Sequence, residues 1–203
     1  MEICYIVGAG SFTNPFVPDG NDFVIAADGG YDHLIRHGIR CDLLIGDLDS
    51  ISNVPHDVEI LRHPVEKDET DMHLAYLEGV RRGYVEFRIY GGTGGREDHT
   101  FANLSLLLYM RNRGHQGSVY GDTGAYQVIK NEKITVFGET GCHLSAFAFG
   151  GEARGVTIQG LEYGCTDITL TPEFPLAVSN RFVGTRGEVS VRDGALLVMT
   201  EIR

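Results

Sequence analysis

The chain has 203 residues, 42% of them hydrophobic, enough for one large domain or two small ones with real cores. Its formal net charge of -11 argues against a role on nucleic acid or an anionic membrane. The four cysteines, Cys4, Cys41, Cys142 and Cys165, show neither zinc-ligand nor CxxC spacing and read as reduced and mostly buried. The N-terminal MEICYIVGAG does not read as a leader, and no run approaches transmembrane length. The expectation is a cytoplasmic, soluble protein.

The first stretch alternates short apolar runs with helical patterns. ICYIV (3–7), FVIAA (23–27), LLI (43–45), VEIL (58–61) and FRIY (87–90) read as buried strands. In DMHLAYLEGV, Met72, Ala75, Tyr76, Gly79 and Val80 fall on one helical face. FANLSLLLYM repeats the pattern through Phe101, Leu104 and Leu108. Strands alternating with helices predict a mostly parallel sheet covered on both faces. After GDTGAY (121–126) only strand-like runs follow: YQVIK, KITVF, HLSAFAF, GVTIQG, DITLT, EVSVRDG and ALLVM. That spacing predicts an all-β sandwich or barrel. The expected division is an α/β domain over 1–122 and a β domain over 128–203.

Ligands of an open parallel sheet bind beyond the carboxyl ends of its strands. FVIAA leads into Asp28-Gly29-Gly30, LLI into GDLDS, VEIL into HPVEKDETD, and FRIY into GGTGGREDH. If these strands are parallel neighbours, all four polar clusters share one edge. Asp28, Asp47, Asp49, Asp68 and Asp71 would then make a pocket too negative to stand without a cation. Asp68 and Asp71, three apart at an expected helix start, would project the same way. An all-oxygen donor set suits magnesium before zinc, and magnesium usually bridges carboxylates to substrate phosphates.

GGTGGRED offers a cradle for those phosphates. Glycines allow close approach of backbone N–H groups, and a helix start near Asp98 favours an anion. Arg96 forks onto phosphate oxygens in this reading, with Lys67 and His99 nearby. Neither GxxxxGK[ST] nor GxGxxG occurs, so this is no P-loop or standard dinucleotide site. Taken singly, Asp68 and Asp98 read as helix caps, Asp28 and Asp47 as turn residues, GGTGG as a flexible loop and His99 as a surface histidine. Their convergence on one edge favours a bound nucleotide triphosphate. His33, His56, His63 and His115 receive no functional reading, and Tyr5, Tyr90 and Tyr109 read as core.

In AADGG (26–30), GDLDS (46–50), KDETD (67–71), GGTGGREDH (91–99) and, more weakly, VSN (178–180), the sequence resembles the thiamine pyrophosphokinase family. The order and spacing agree over most of the chain. The resemblance implies a Rossmann-like α/β domain followed by a β-sandwich, assembled as a homodimer. It implies transfer of pyrophosphate from ATP to the hydroxyl of thiamine, giving thiamine diphosphate and AMP. Magnesium would be held by Asp47, Asp49 and Asp71. ATP would meet Asp28, Lys67, Asp68, Thr70, Arg96, Asp98 and His99. Thiamine would lie near Ser179 and Asn180, between the α/β domain of one subunit and the β domain of the other. Arg96 would stabilise developing charge, and Asp71 or Asp49 would accept the hydroxyl proton. Some family members place a tryptophan near the C-terminus against the thiamine ring; this chain has no Trp and carries Val198 in that neighbourhood. Two other readings stand beside this one: a pyrophosphokinase for another heterocyclic alcohol, such as a pterin, and a nucleotide-binding regulatory module without turnover.

Overall fold

The computed structural model describes residues 2–48, 51, 56–63 and 68–202. The chain folds as two compact units, one of Met1–Leu106 with Arg113–Asp122, the other of Leu107–Asn112 with Thr123–Arg203.

The first unit holds six strands and most of three helices. In chain order these are β1 (Cys4–Val7), β2 (Phe23–Ala27), α1 (Gly30–Arg36), β3 (Leu43–Gly46), β4 (Glu59–Arg62), α2 (Asp71–Arg81), β5 (Glu86–Tyr90), α3 (Glu97–Asn112) and β6 (Gln116–Tyr120). The strands lie in the order β4-β3-β2-β1-β5-β6, and every pairing is parallel. β1 to β3 are apolar and buried along their whole length save for Phe23 at the start of β2, which is partly buried, as expected where helices cover both faces. Alternate residues serve the two sides. Tyr5, Val7, Val24 and Ala26 join Tyr31 and Leu34 of α1 in one buried cluster. On the other side α2 comes so close that a Cβ on Gly79 would stand 2.7 Å from Phe87 and 2.9 Å from the Cys4 sulfur. Only a glycine allows that approach.

The five strands anticipated in this unit are all present, each within a residue or two of its expected bounds. The helical faces differ more. Met72, Ala75, Tyr76 and Gly79 are buried as expected, whereas Glu78 rather than Val80 completes the buried set of α2. In α3 the expected face is corrected: Phe101 is 67% exposed, and the buried residues are Asn103, Leu104, Leu106, Leu107 and Met110. Asp68 lies outside α2, whose N-cap is Thr70, so it does not share a helical face with Asp71.

The second unit is all-β apart from the end of α3. Its strands are β7 (Gly124–Lys130), β8 (Lys133–Phe137), β9 (His143–Ala148), β10 (Ala153–Gln159), β11 (Cys165–Leu170), β12 (Ala177–Arg181), β13 (Arg186–Ser190) and β14 (Ala195–Glu201). They pair antiparallel in two runs, β12-β9-β14-β7 and β11-β10-β13-β8. One buried cluster draws on both runs, including Ile129, Leu144, Leu196 and Val198 from the first and Val136, Val156, Leu170 and Val189 from the second. All four cysteines are free thiols, Cys4 and Cys142 buried and Cys41 and Cys165 partly so. No helix among the described residues is long and apolar enough to cross a membrane.

Candidate active site

In the first unit β1 continues to β2 on one side, while β5 continues to β6 on the other. The loops leaving β1 and β5 therefore part company at the carboxyl edge. Such a switch point opens a crevice in an α/β sheet. A cleft of about 360 Å³ lies there. Its walls are Gly8-Ala9-Gly10 after β1, Ala27-Asp28 after β2, Thr70-Asp71-Met72 at the start of α2, and Gly91, Gly92, Thr93, Gly95 and Arg96 with His99, Thr100 and Asn103 from the loop after β5 and α3.

Three backbone hydrogen bonds sew the two glycine loops together. Gly8 N–H donates to Tyr90 O at 2.8 Å, Gly10 N–H to Gly91 O at 2.8 Å, and Ser11 N–H to Thr93 O at 2.7 Å. The fit leaves no room for side chains: a Cβ on Gly91, which has φ 59°, would meet Gly8 O at 2.1 Å. Asn103, buried on α3, donates its Nδ2–H to Gly92 O at 2.8 Å and ties the second loop to the helix. Asp122 accepts from Ser11 Oγ at 2.5 Å and Thr13 Oγ1 at 2.8 Å, and these bonds hold its carboxyl below the usual range.

The acidic residues approach from the other wall. Asp28 has φ 50°, a left-handed conformation uncommon outside glycine, and its N–H is fixed on Ile45 O at 2.7 Å. Its Oδ1 is buried and has no hydrogen-bond partner among the described residues. Asp71 is the first residue of α2, where Thr70 caps the helix by accepting from His73 N–H at 3.2 Å. Asp47 follows β3 and is half-buried, and it does not line the cleft; Gly46 beside it abuts the backbone of Asp28. Arg96 stands at the cleft mouth, exposed, with its guanidinium on the Asp98 carboxylate at 2.6 and 3.1 Å. That bidentate pair holds the Asp98 carboxyl below its ordinary value.

The structure thus brings Asp28, Thr70, Asp71, Arg96 and His99 to one cleft. Asp98 reaches it through Arg96, and Asp68 is exposed and does not line it. Asp49 and Lys67 lie outside the described residues. The Gly8–Gly10 wall escaped the sequence reading, although GAG directly after a buried strand was its signal. In the second unit Ser179 is exposed, with φ 57°, at a bulge of β12 against β9. Asn180 is 3% exposed; its Oδ1 accepts from the N–H of Tyr163 and of Arg181, and its Nδ2 donates to Tyr163 O. Val198 faces the core of this unit and is fully buried.

Comparison with known proteins shows the family of the chain. The family description "Thiamin pyrophosphokinase, catalytic domain" matches residues 17–119, and "Thiamin pyrophosphokinase, vitamin B1 binding domain" matches residues 127–196. The chain belongs to the thiamine pyrophosphokinase family. It is 26% identical over 195 residues to thiamine pyrophosphokinase of Bacillus subtilis (strain 168), covering 89% of this chain and 88% of that one. In fold it is similar to the crystal structure of the B. subtilis thiamine pyrophosphokinase, with a TM-score of 0.86 at 23% identity over 99% of both chains. The thiamin pyrophosphokinase of Geobacillus thermodenitrificans gives a TM-score of 0.82 at 25% identity, over 99% of this chain and 98% of that one. The thiamine pyrophosphokinases transfer pyrophosphate from ATP to thiamine, and this chain is an enzyme of that family.

Proposed function

We propose that the cleft at the carboxyl edge holds the triphosphate of ATP while the hydroxyl of thiamine attacks its β-phosphorus. The observation that carries this reading is a cleft with two glycine loops on one side and two carboxylates, Asp28 and Asp71, on the other. Glycine loops present N–H groups to an anion, whereas carboxylates repel one unless a cation lies between.

The residues fit magnesium. The donor set is oxygen only, and the buried Asp28 Oδ1 is a polar atom that protein groups leave without a partner among the described residues. No cluster of three or more His, Cys, Asp or Glu among the described residues would cage an ion alone. Magnesium rarely needs such a cage, since one or two carboxylates and substrate phosphates suffice. Asp71, Asp47 and Asp49 are the proposed holders, with Asp28 on the same wall. Bound there, magnesium supplies Lewis-acid neutralisation of the phosphate oxygens.

The chain's own residues do the rest. The Gly8–Gly10 and Gly91–Gly95 loops fix the phosphates in line with the incoming hydroxyl. The oxygen–phosphorus bond forms at the β-phosphorus, and the bond to the α–β bridging oxygen breaks. That oxygen leaves with AMP. Arg96 turns from Asp98 to the phosphates and stabilises the charge that develops, with Lys67, Thr70, Asp98 and His99 completing the ATP contacts and Asp68 standing outside the cleft. The hydroxyl proton passes to Asp71 or Asp49.

In this reading residues 1–122 form a Rossmann-like ATP- and metal-binding domain, and residues 128–203 a β-sandwich that binds thiamine near Ser179 and Asn180. The molecule is proposed to be a cytoplasmic homodimer with each active site shared between subunits. The outermost strand of its run supports assembly: β12 and its approach carry Phe174, Leu176 and Val178, large apolar side chains left exposed. The test is AMP formation with ATP, magnesium and thiamine. Release of AMP that requires thiamine supports the reading; release without an acceptor, or none, overturns it. A pterin alcohol in the same assay decides between acceptors.

A further inference from the structure

α1 is pressed onto the end of β1. A Cβ on Gly30 would stand 1.9 Å from Val7 O, so only glycine permits the contact. Three residues on, this packing carries His33 of α1 to the loop after β1. Its Nε2 lies 2.8 Å from Gly10 O. A carbonyl oxygen only accepts, so Nε2 carries the proton and donates. The other ring nitrogen, Nδ1, is buried without a hydrogen-bond partner among the described residues. The ring also packs on Phe12, with centroids 5.5 Å apart.

A histidine is a costly filler for such a place. A buried ring nitrogen without a partner loses its hydration, and an apolar side chain there would avoid the loss. What the histidine gains is its one bond, made to a backbone that walls the cleft. Gly10 is thereby held from both ends, its N–H on Gly91 O and its carbonyl on His33. We infer that His33 is a positioning residue of the nucleotide cleft: its Nε2–H holds the Gly10 carbonyl and fixes the Gly8–Gly10 wall against which the phosphates of ATP lie. The inference rests on the reading of this cleft as the ATP site. His33 itself does not line the cleft and acts through Gly10.

The test compares His33→Leu, which fills the space without a donor, with His33→Gln, whose terminal amide restores one. Steady-state kinetics of the full chain would be measured with ATP and thiamine varied in turn. His33→Leu is expected to raise KM for ATP about three- to tenfold, the worth of one neutral hydrogen bond, and to leave KM for thiamine unchanged. His33→Gln is expected to recover most of that change. A merely structural histidine would lower Tm in the leucine variant and leave KM for ATP where it was, which overturns the inference. Equal rises in the two variants overturn it as well. Should the leucine variant not fold, His33→Phe takes its place against His33→Gln. Gly95→Val serves as the control, because Gly95 lines the cleft and a Cβ there meets only Gly10 Cα, at 3.6 Å. If that variant raises KM for ATP and the His33 variants do not, the positioning role alone fails. If none of them does, the ATP reading of the cleft fails and the inference falls with it.

Discussion

Asp28 combines a left-handed backbone with a buried carboxylate oxygen that has no hydrogen-bond partner among the described residues. Both features cost stability, and such costs gather where a site is made. Asp71 is different, because a carboxylate in the first turn of α2 also favours the helix dipole. That benefit amounts to about 0.3–1 kcal/mol, so Asp71→Asn should barely move Tm. If Asp71 also holds the metal, kcat should fall on the order of 10²-fold or more, as for loss of a main electrostatic stabiliser. Near-parental kcat in Asp71→Asn across magnesium concentrations would remove the residue from the site. Asn180 spends its amide on the backbone of Tyr163 and Arg181. Asn180→Ala should therefore destabilise the second unit by about 1–3 kcal/mol, through backbone groups left unpaired. Ser179 is exposed at φ 57°, so Ser179→Gly removes the hydroxyl and relieves the backbone at once. A raised KM for thiamine without loss of Tm in Ser179→Gly would place the hydroxyl on the substrate. An unchanged KM would leave it a bulge residue. The sequence showed Asp28, Asp71 and Arg96 as acidic and basic groups after strands. It hid the saturation of Asn180, because no pattern announces which backbone an amide will meet across a sheet.

At the scale of elements, legibility followed burial. β1 and β3 are buried end to end and β2 from Val24 on, so a continuous apolar run announced each. β6 escaped because QGSVY is polar at its start and only Val119 is fully buried. α1, at seven residues, is too short to show a period, and β12 shows no strand pattern because Ser179 and Asn180, types that favour turns, stand in it. The phase of α3 was misread because its buried stripe includes Asn103, a polar residue committed to Gly92 O, while the apolar Phe101 faces outward. α2 shows the same effect with a charge. Glu78 is buried among its apolar neighbours because Arg81 and Arg82 both bond its carboxylate, at 2.6 to 2.7 Å. The Arg81 hydrogen bonds are the chief cause holding its carboxyl below the ordinary 4.5, with Arg82 adding to them. A depressed carboxyl stabilises the fold above its unfolded value, and that contribution fades as pH falls through the folded value. Glu78→Gln should cost about 2 kcal/mol at neutral pH, between an exposed pair and a fully buried one. The difference between parent and variant, read by urea unfolding, should shrink as pH drops below 4.5. A pH-independent difference would assign the effect to packing instead of charge.

For the whole molecule, the open question is whether one chain suffices for catalysis. The first unit holds the glycine loops and the cleft-lining carboxylates, and the second matches the vitamin B1 binding domain. Assembly should be sensitive to the outermost strand β12, where Leu176 and Val178 are exposed on its N-terminal side. An open strand edge with apolar side chains invites pairing, and lysine at such an edge opposes it. The double variant Leu176→Lys/Val178→Lys alters four side chains in a two-fold dimer. At about 1.5–3 kcal/mol per buried aliphatic side chain, the loss reaches roughly 6 kcal/mol or more. That corresponds to a dissociation constant raised about 10⁴-fold, enough to turn a nanomolar dimer into a monomer at working concentrations. Sedimentation velocity should show a dimer for the parent and a monomer for the variant. A monomeric parent would end the dimer proposal outright. Calorimetry should find ATP binding retained by the monomeric variant, since every residue of the cleft lies in the first unit. Transfer to thiamine should nevertheless be lost if the acceptor is gripped by the partner's second unit. A monomer that binds ATP and still converts thiamine at the parental rate would show that each chain completes its own site, with β12 serving assembly alone.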